Sequence, residues 1–138
     1  MPVTTSPQLS TTQAATLAII GAVYWFIAAL IVRRTAVNWV DNEAMTAVVF
    51  ALIVVGTVPA LLLGYRIAGV ARAHAAIAAT IMTATALLLD GIALTWVRAL
   101  YGSDPAVVLG GGAAIMWGAG VALVLGMAIE RRGAPFRN

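Results

Sequence analysis

Four long apolar runs, separated by short polar segments, dominate the pattern of hydrophobic and polar positions along the chain. The runs cover about residues 12–32, 43–65, 73–97 and 105–129. Each is at least as long as the ~20 residues that a helix needs to cross a hydrocarbon core of about 30 Å. Alternating strands of about ten residues, which a membrane barrel needs, are absent from the sequence. The pattern predicts an all-α fold: one domain (1–138) forming an integral membrane antiparallel four-helix bundle.

The polar segments carry signals for helix starts. Ser10 and Gln13 form a capping box before the first run, in which the hydroxyl and the amide each satisfy a backbone N–H. Pro105 suits the first position of the fourth helix, where its missing N–H costs nothing. The candidate caps of the second and fourth helices are Asp41 or Asn42, and Ser103 or Asp104. Because the connections are short, we expect sequential helices to be antiparallel neighbours, with both chain ends on one side.

The composition supports a membrane location and excludes several chemistries. Apolar residues make up 62% of the chain and charged residues 9%, against about 25% charged in soluble domains. The chain has no cysteine, which removes disulfides, thiolate nucleophiles and iron–sulfur clusters. The N-terminal segment lacks the basic region of a secretory signal, so we expect the first run to stay as an anchor.

All eight basic residues are arginines, and they lie at the ends of the apolar runs. This distribution predicts topology and anchoring; no basic groove with interleaved aromatics indicates nucleic-acid binding. The side with the termini and second loop holds Arg66, Arg72, Arg131, Arg132 and Arg137, and the other side holds Arg33, Arg34 and Arg98. Five arginines against three favour a cell (inner) membrane protein with cytoplasmic termini.

Asp90 lies inside the third run, eight residues before Arg98 and therefore about 12 Å from that helix end. A charge at this depth costs at least a few kcal/mol unless it is paired, hydrated or protonated. The helical face around Asp90 is small or polar, with Ala79, Thr83 and Ala86. The opposite face carries Ile77, Ile81, Leu88 and Ile92. We expect the small face to pack on other helices and Asp90 to point into the bundle.

Two interpretations of Asp90 stay open. It is either a structural carboxyl bonded to a tryptophan, tyrosine, threonine, backbone group or inward-reaching Arg33 or Arg34, or a protonatable site for ion-coupled transport or ligand binding. In the second case Thr83, Tyr24 and Trp117 are the candidates to line a pocket beside it. An interfacial aromatic belt otherwise explains most of the aromatic residues near the span ends, which are Tyr24, Trp25, Trp39, Trp96 and Tyr101.

Small residues recur at four-residue spacing in the fourth run. They are Gly110, Ala114, Gly118, Ala122 and Gly126. This spacing lets helix backbones approach closely. The row therefore predicts packing inside this bundle or, alternatively, homo-oligomerisation or docking on a larger membrane complex. The glycines at 110–112 are not a phosphate loop, because no P-loop Lys-Ser/Thr follows.

Pro59 lies inside the second run, where it removes one backbone hydrogen bond and predicts a kink. Thr57 or a neighbouring helix is expected to satisfy the freed carbonyl. A static kink and a hinge or cavity both stay open.

His74, the single histidine, stands beside Arg72 and nearly opposite Asp90 on the helical wheel. With no second ligand candidate nearby, we expect no metal site and no cofactor. No nucleophile–base pair is present, so we also expect no enzymatic activity.

The motifs Leu88-Leu89-Asp90, Met116-Trp117 and Pro59-Ala60-Leu61 give the chain a family likeness. With them it resembles an uncharacterised bacterial family of small four-helix membrane proteins, which implies the fold and no activity. Small multidrug resistance transporters have a similar size but carry a glutamate in their first span, and here that span has no acidic residue.

Two functions follow from these features. The first is a non-enzymatic structural or accessory subunit, or a homo-oligomer, whose partners are the lipid bilayer and another membrane protein or a second copy through the fourth helix. The alternative is a small transporter or ligand-binding bundle that uses Asp90. The alternative requires a cavity that reaches Asp90 and a carboxyl that the protein does not fully satisfy.

Overall fold

Four long helices account for most of the fold in the computed structural model, which describes residues 9–133. They are α1 (Thr11–Thr35), α2 (Glu43–Ala68), α3 (Ala75–Trp96) and α4 (Pro105–Gly133). Short 3-10 turns at Ala36–Asn38, Arg72–His74 and Arg98–Leu100 lie in the connections. The all-α four-helix prediction is confirmed over the described part of the chain. Arg137, counted above, and the first eight residues lie outside it.

Each helix is long and apolar enough to cross a membrane. The membrane-spanning segments of α1 and α3 include the 3-10 turns that adjoin them, at Ala36–Asn38 and Arg72–His74. The four segments contain 28, 26, 25 and 29 residues, against about 20 for a minimal span. The protein is therefore a multi-pass membrane protein by the length and composition of its helices.

The helix starts use the side chains that the sequence offers. The Ser10–Gln13 capping box is formed, with bonds of 3.1 Å to the Ser10 hydroxyl and 3.0 Å to the Gln13 amide. For α2 and α4 the caps are Asn42 and Asp104, whose side-chain oxygens accept backbone N–H bonds of 3.1 and 2.8 Å. The open choices are thus resolved against Asp41 and Ser103.

The start of α3 is capped from another helix. His74 makes no side-chain cap of its own helix. Instead, the Glu130 carboxylate near the end of α4 accepts the backbone N–H of Ala76 at 2.8 Å. The Tyr65 hydroxyl of α2 donates to the Ala75 carbonyl at 3.0 Å. These bonds bring the ends of α2 and α4 to the start of α3, so the antiparallel arrangement is tied by polar contacts.

The spatial order of the helices differs from their order along the chain. The most extensive helix contacts are, in decreasing order, those of α1 with α3, of α3 with α4 and of α2 with α4. The expectation that sequential helices are neighbours is wrong for α2 and α3, which barely touch. Gly21 of α1 lies directly against the backbone of Met82. That close approach joins α1 to α3 and displaces α2 to the other side.

α2 enters the core only in its second half. Its buried residues are Leu61, Gly64, Tyr65 and Ala68, all of which follow Pro59. Leu61, Tyr65 and Ala68 join Leu17 and Ile20 of α1 in one core cluster. Before Pro59, no residue of α2 is buried, and Val49, Phe50 and Ile53 only border the second cluster. The first half of α2 therefore lies at the edge of the bundle.

Candidate functional site

Asp90 points into the bundle, as its helical face predicts, and is only 5% exposed. It lies six residues before α3 ends at Trp96, so about 9 Å from that end. The Trp25 indole N–H of α1 donates to Asp90 Oδ1 at 2.8 Å. The Tyr101 hydroxyl donates to the same oxygen. The partners of the carboxylate are thus a tryptophan and a tyrosine, two of the partners that the structural interpretation named. The arginine alternative of that interpretation, Arg33 or Arg34, is wrong.

Tyr101 reaches Asp90 because the chain folds back after α3. The turn at Arg98–Leu100 and Gly102, whose φ is 142°, carry the chain under the bundle. The Tyr101 side chain is fully buried. Burial, and next the hydrogen bond to Asp90, hold the pKa of Tyr101 well above its usual range. The phenol therefore stays protonated and remains a donor to the carboxylate.

The interfacial belt predicted for the aromatic residues is wrong for three of them. Trp25 and Tyr101 bond Asp90, and Trp39 is buried in the core cluster at this end of the bundle. Trp96 is 76% exposed, as an interfacial residue should be. Trp25 and Tyr101 point inward because a buried carboxylate needs hydrogen-bond donors. Their indole N–H and phenol O–H supply these donors.

The two carboxyl oxygens of Asp90 have different surroundings. Both donors bind Oδ1, which occupies the two lone pairs of that oxygen. Within residues 9–133, Oδ2 receives no hydrogen bond. Every fully buried side-chain oxygen in this range has a hydrogen-bond partner, so Oδ2 is not fully buried. Since Asp90 lines a cavity, Oδ2 is open to that cavity.

The central cavity has a volume of about 340 Å³ and is lined by residues from all four helices. Its walls include Ala28, Ile53, Ala86 and Ala119, which are small or apolar. Asp90 is the one charged residue among the described lining residues. The central cavity is thus an apolar chamber with a single carboxyl in its wall.

Tyr24 and Thr83 line the central cavity with Asp90, as the sequence suggested. The Tyr24 hydroxyl donates to the Ala60 carbonyl of α2 at 3.0 Å. The Thr57 hydroxyl, also at the wall, donates to the Ile53 carbonyl at 2.6 Å. The hydroxyl protons of Tyr24 and Thr57 are therefore already used. Within residues 9–133 the Thr83 hydroxyl and Asp90 Oδ2 have no hydrogen-bond partner, and the carboxylate oxygen is the stronger acceptor.

Trp117 does not belong to this site. Its indole N–H donates to the Phe50 carbonyl at 3.1 Å, and its ring packs on Phe50 with centroids 5.5 Å apart. It lies on the side of α4 that contacts α2, is 45% exposed and lines a separate depression. The suggestion that Trp117 shares a pocket with Asp90 is wrong, because this side of α4 faces away from α3.

α1 and the first half of α2 make few contacts at the wall of the central cavity, where Ile31 of α1 and Val49 and Ile53 of α2 lie. That half of α2 leans on α4, where Phe50 packs on Trp117 and Ile53 lies against Gly118. Contacts between α1 and α2 are few. The bond from Tyr24 to Ala60 joins the two helices just after Pro59. We call the gap between Ile31 of α1 and this half of α2 the lateral opening.

Pro59 does not break α2, which continues as one helix from Glu43 to Ala68. Proline removes the N–H that would have bonded the Val55 carbonyl. Thr57 bonds Ile53 instead of Val55, so the expectation that Thr57 satisfies the freed carbonyl is wrong. Within a helix, a threonine hydroxyl can bond the backbone carbonyl four residues before it, which for Thr57 is that of Ile53.

The row of small residues in α4 packs inside the bundle. A Cβ added at Gly118 would lie 3.3 Å from Ile53, and one at Gly126 would lie 2.6 Å from Ala79. Gly110 is similarly close to Val40. Ala114 and Ala122, the other members, are buried. The row is therefore used for contacts with neighbouring helices of the same chain.

No group of three histidine, cysteine, aspartate or glutamate side chains comes together among the described residues. Comparisons with protein-family models, with curated proteins and with solved structures give no match. The likeness to an uncharacterised bacterial family therefore stays a prediction. Fold and site define a four-helix, multi-pass membrane protein with one carboxyl in an intramembrane cavity.

Proposed function

We propose that this protein binds a small, largely apolar ligand in the central cavity, with Asp90 as the polar anchor. The observation that carries the proposal is Oδ2, an acceptor left open in the wall of a chamber of about 340 Å³. Ligand pockets usually measure about 300–1,000 Å³ and combine apolar walls with a few placed polar groups. The central cavity has this size and this composition.

A purely structural carboxyl would be expected to have both oxygens satisfied, because an ionisable group in a bilayer costs several kcal/mol when it lacks partners. Here Trp25 and Tyr101 hold one oxygen and orient the group. The other oxygen points to space that a ligand can fill. The arrangement supports binding and offers no paired nucleophile and base, so the proposed role is non-enzymatic.

The ligand is proposed to arrive from the lipid phase through the lateral opening. Ile31, at its edge, is exposed on the outer surface and also lines the central cavity. We place the protein in the cell (inner) membrane with cytoplasmic termini, on the arginine distribution.

Binding is tested with 1-adamantanol, an uncharged compact alcohol, titrated into the protein in lipid nanodiscs. Trp25 and Trp39 line the central cavity, so their fluorescence reports its occupancy. We expect saturable binding at one site per chain. Ala86→Phe should abolish it, because Ala86 lines the central cavity and a benzyl group occupies the space.

The matched control is Ala84→Phe, on the same helix at an exposed position. It should bind 1-adamantanol as the wild type does. Non-saturable uptake by the wild type, or equal uptake by Ala86→Phe, would contradict the proposed function.

A second candidate function is that of an accessory subunit or a homo-oligomer within the membrane. The short connections favour it, because little of the chain lies outside the helices to bind soluble partners. The small-residue row of α4 no longer supports it, since that row packs within the chain. Mass measurement of the protein released from native membranes tests it: a defined complex would support this role, and an isolated monomer would contradict it.

A further inference from the structure

The geometry of Asp90 points to a small organic amine, bound as its ammonium cation, as the ligand of the central cavity. We infer that the ammonium group donates to Oδ2 and competes there with a proton. This inference rests on the proposed function and adds the chemical class of the ligand to it.

Only one oxygen of the Asp90 carboxyl is available to a ligand. The Trp25 indole N–H is a donor only, and Tyr101 donates its hydroxyl proton, so Oδ1 acts as an acceptor in both bonds. A proton on Asp90 therefore belongs on Oδ2. The same oxygen is the one open to the central cavity, so a proton and a ligand donor need the same place.

The charge of an ionised Asp90 is not balanced at the wall of the central cavity. Asp90 is the sole charged residue at the wall described here, and its two donors are neutral. An ionised Asp90 thus has hydrogen bonds but no counter-ion. An ammonium group supplies both the missing charge and a charge-assisted hydrogen bond, which is about twice as strong as a neutral one. A neutral alcohol supplies only a hydrogen bond.

The wall of the central cavity determines which kind of ligand body fits it. The wall of the central cavity is mainly hydrocarbon, from residues such as Ala28, Ile53, Ala86 and Ala119, and the Thr83 hydroxyl is its one neutral group left without a partner. A hydrocarbon wall favours an aliphatic or aromatic body and leaves an extended polar molecule without partners. A compact hydrocarbon with one amine therefore fits the chamber better than a sugar, a nucleotide or an anion.

The competition with protons depends on the groups that face Asp90. From α1 the titratable residue at the wall is Tyr24, and from the connection after α3 it is Tyr101. The wall residues from α2 and α4 are uncharged: Thr57 is their one hydroxyl, and the others are apolar or glycine. Both tyrosines stay neutral in the working range of pH. The carboxyl of Asp90 is therefore the group whose protonation changes ligand binding.

The test compares 1-aminoadamantane with 1-adamantanol, which share one body and differ in the polar group. Both are titrated into the protein in nanodiscs of zwitterionic lipid, with tryptophan fluorescence as the readout. At mildly alkaline pH we expect the amine to bind about tenfold or more tightly than the alcohol, since hydrogen bonds to charged groups are worth more. At a pH low enough to protonate Asp90 the amine should lose this advantage, because the proton occupies Oδ2, while alcohol binding changes little.

Asp90→Asn is the matched variant, since its amide oxygen still accepts from Trp25 and Tyr101. It should lose the preference for the amine, so that the amine binds this variant no more tightly than the alcohol does. If this variant does not fold, the pH dependence of the wild type alone decides.

Equal, pH-independent binding of both compounds would overturn the amine inference and leave the proposed function standing. Failure of both compounds to saturate the wild type, or unchanged binding to Ala86→Phe, would overturn the proposed function itself. Unchanged amine preference in folded Asp90→Asn would also overturn the amine inference.

Discussion

Asp90 shows how a bilayer-buried carboxylate is held without a counter-ion. The indole of Trp25 and the phenol of Tyr101 both donate to Oδ1. The Trp25 N–H also donates to the Tyr101 hydroxyl oxygen at 3.1 Å. Buried polar groups that are linked in this way reinforce one another in a low dielectric. The arrangement fixes the orientation of the carboxyl and leaves Oδ2 free.

Tyr101→Phe removes one of these donors while keeping the ring that fills the core. Loss of a hydrogen bond to a charged group is expected to destabilise the protein by about 1.5–3 kcal/mol. Tyr24→Phe is the control, because its hydroxyl bonds the neutral Ala60 carbonyl and its loss should cost about 1 kcal/mol. Thermal unfolding in mild detergent measures the difference. Equal stability of Tyr101→Phe and the wild type would show that this bond does not stabilise Asp90.

The direction of Asp90 could be predicted from its own helix, because helical spacing places it with Ala79 and Thr83 on the small face. Its partners could not. Tyr101 lies in a connection whose path depends on a 3-10 turn and on Gly102. Trp25 lies on another helix, and only the α1–α3 packing brings it to Asp90. Aromatic residues near a span end resemble an interfacial belt in sequence whether they turn outward or inward.

At the scale of helices, the tightest contact is between α1 and α3. A Cβ added to Gly21 would lie 2.9 Å from the Met82 Cα atom, a distance that backbone atoms cannot relieve without moving a helix. This contact sets the order α1, α3, α4, α2 around the bundle. It also aligns Trp25 with Asp90, so the site depends on it.

Gly21→Ala is therefore expected to destabilise the protein by about 1–3 kcal/mol, the usual cost of overpacking. Gly112→Ala is the matched control, since a Cβ there meets no atom within 4 Å. Alanine is the better helix former by up to about 1 kcal/mol, so the control should be neutral or more stable. Detergent-denaturation curves followed by circular dichroism compare the two variants. Equal effects would contradict the close approach of α1 to α3.

Most helix ends and the helix count follow from local signals and could be predicted, because caps and apolar runs depend on neighbouring residues. The start of α3 is the exception, since Glu130 caps it from α4. The order of the helices depends on which small residues meet, and Gly21 alone gave no indication of its partner. The lateral opening was likewise invisible in sequence. Pro59 marked the point where α2 changes its neighbours, but a proline does not indicate which half of its helix leaves the core.

At the scale of the whole molecule, polar contacts gather at the two ends and the apolar surface of the helices faces lipid. Asn42, Asp104 and Glu130 cap helices at these ends. The seven arginines of the described residues lie in last turns of the long helices or in the 3-10 turns between them. The arginine distribution predicts the orientation, which no contact within the bundle determines.

The orientation is tested with single cysteines, since the chain has none of its own. Ser103 and Ala71 are exposed and lie in connections at opposite ends of the bundle, so each is replaced by cysteine in turn. In intact cells a membrane-impermeant maleimide should label Ser103→Cys and reach Ala71→Cys only after permeabilisation. The reverse pattern would place the termini outside.

The central claim is that the cavity beside Asp90 holds a ligand in the living membrane. The most direct measurement is native mass spectrometry of the protein released from its own membrane, comparing the wild type, Ala84→Phe and Ala86→Phe. We predict that the wild type and Ala84→Phe carry the same small molecule, one per chain, and that Ala86→Phe, with the cavity filled, lacks it. A bare wild-type chain, or the same bound molecule in all three proteins, would contradict the claim.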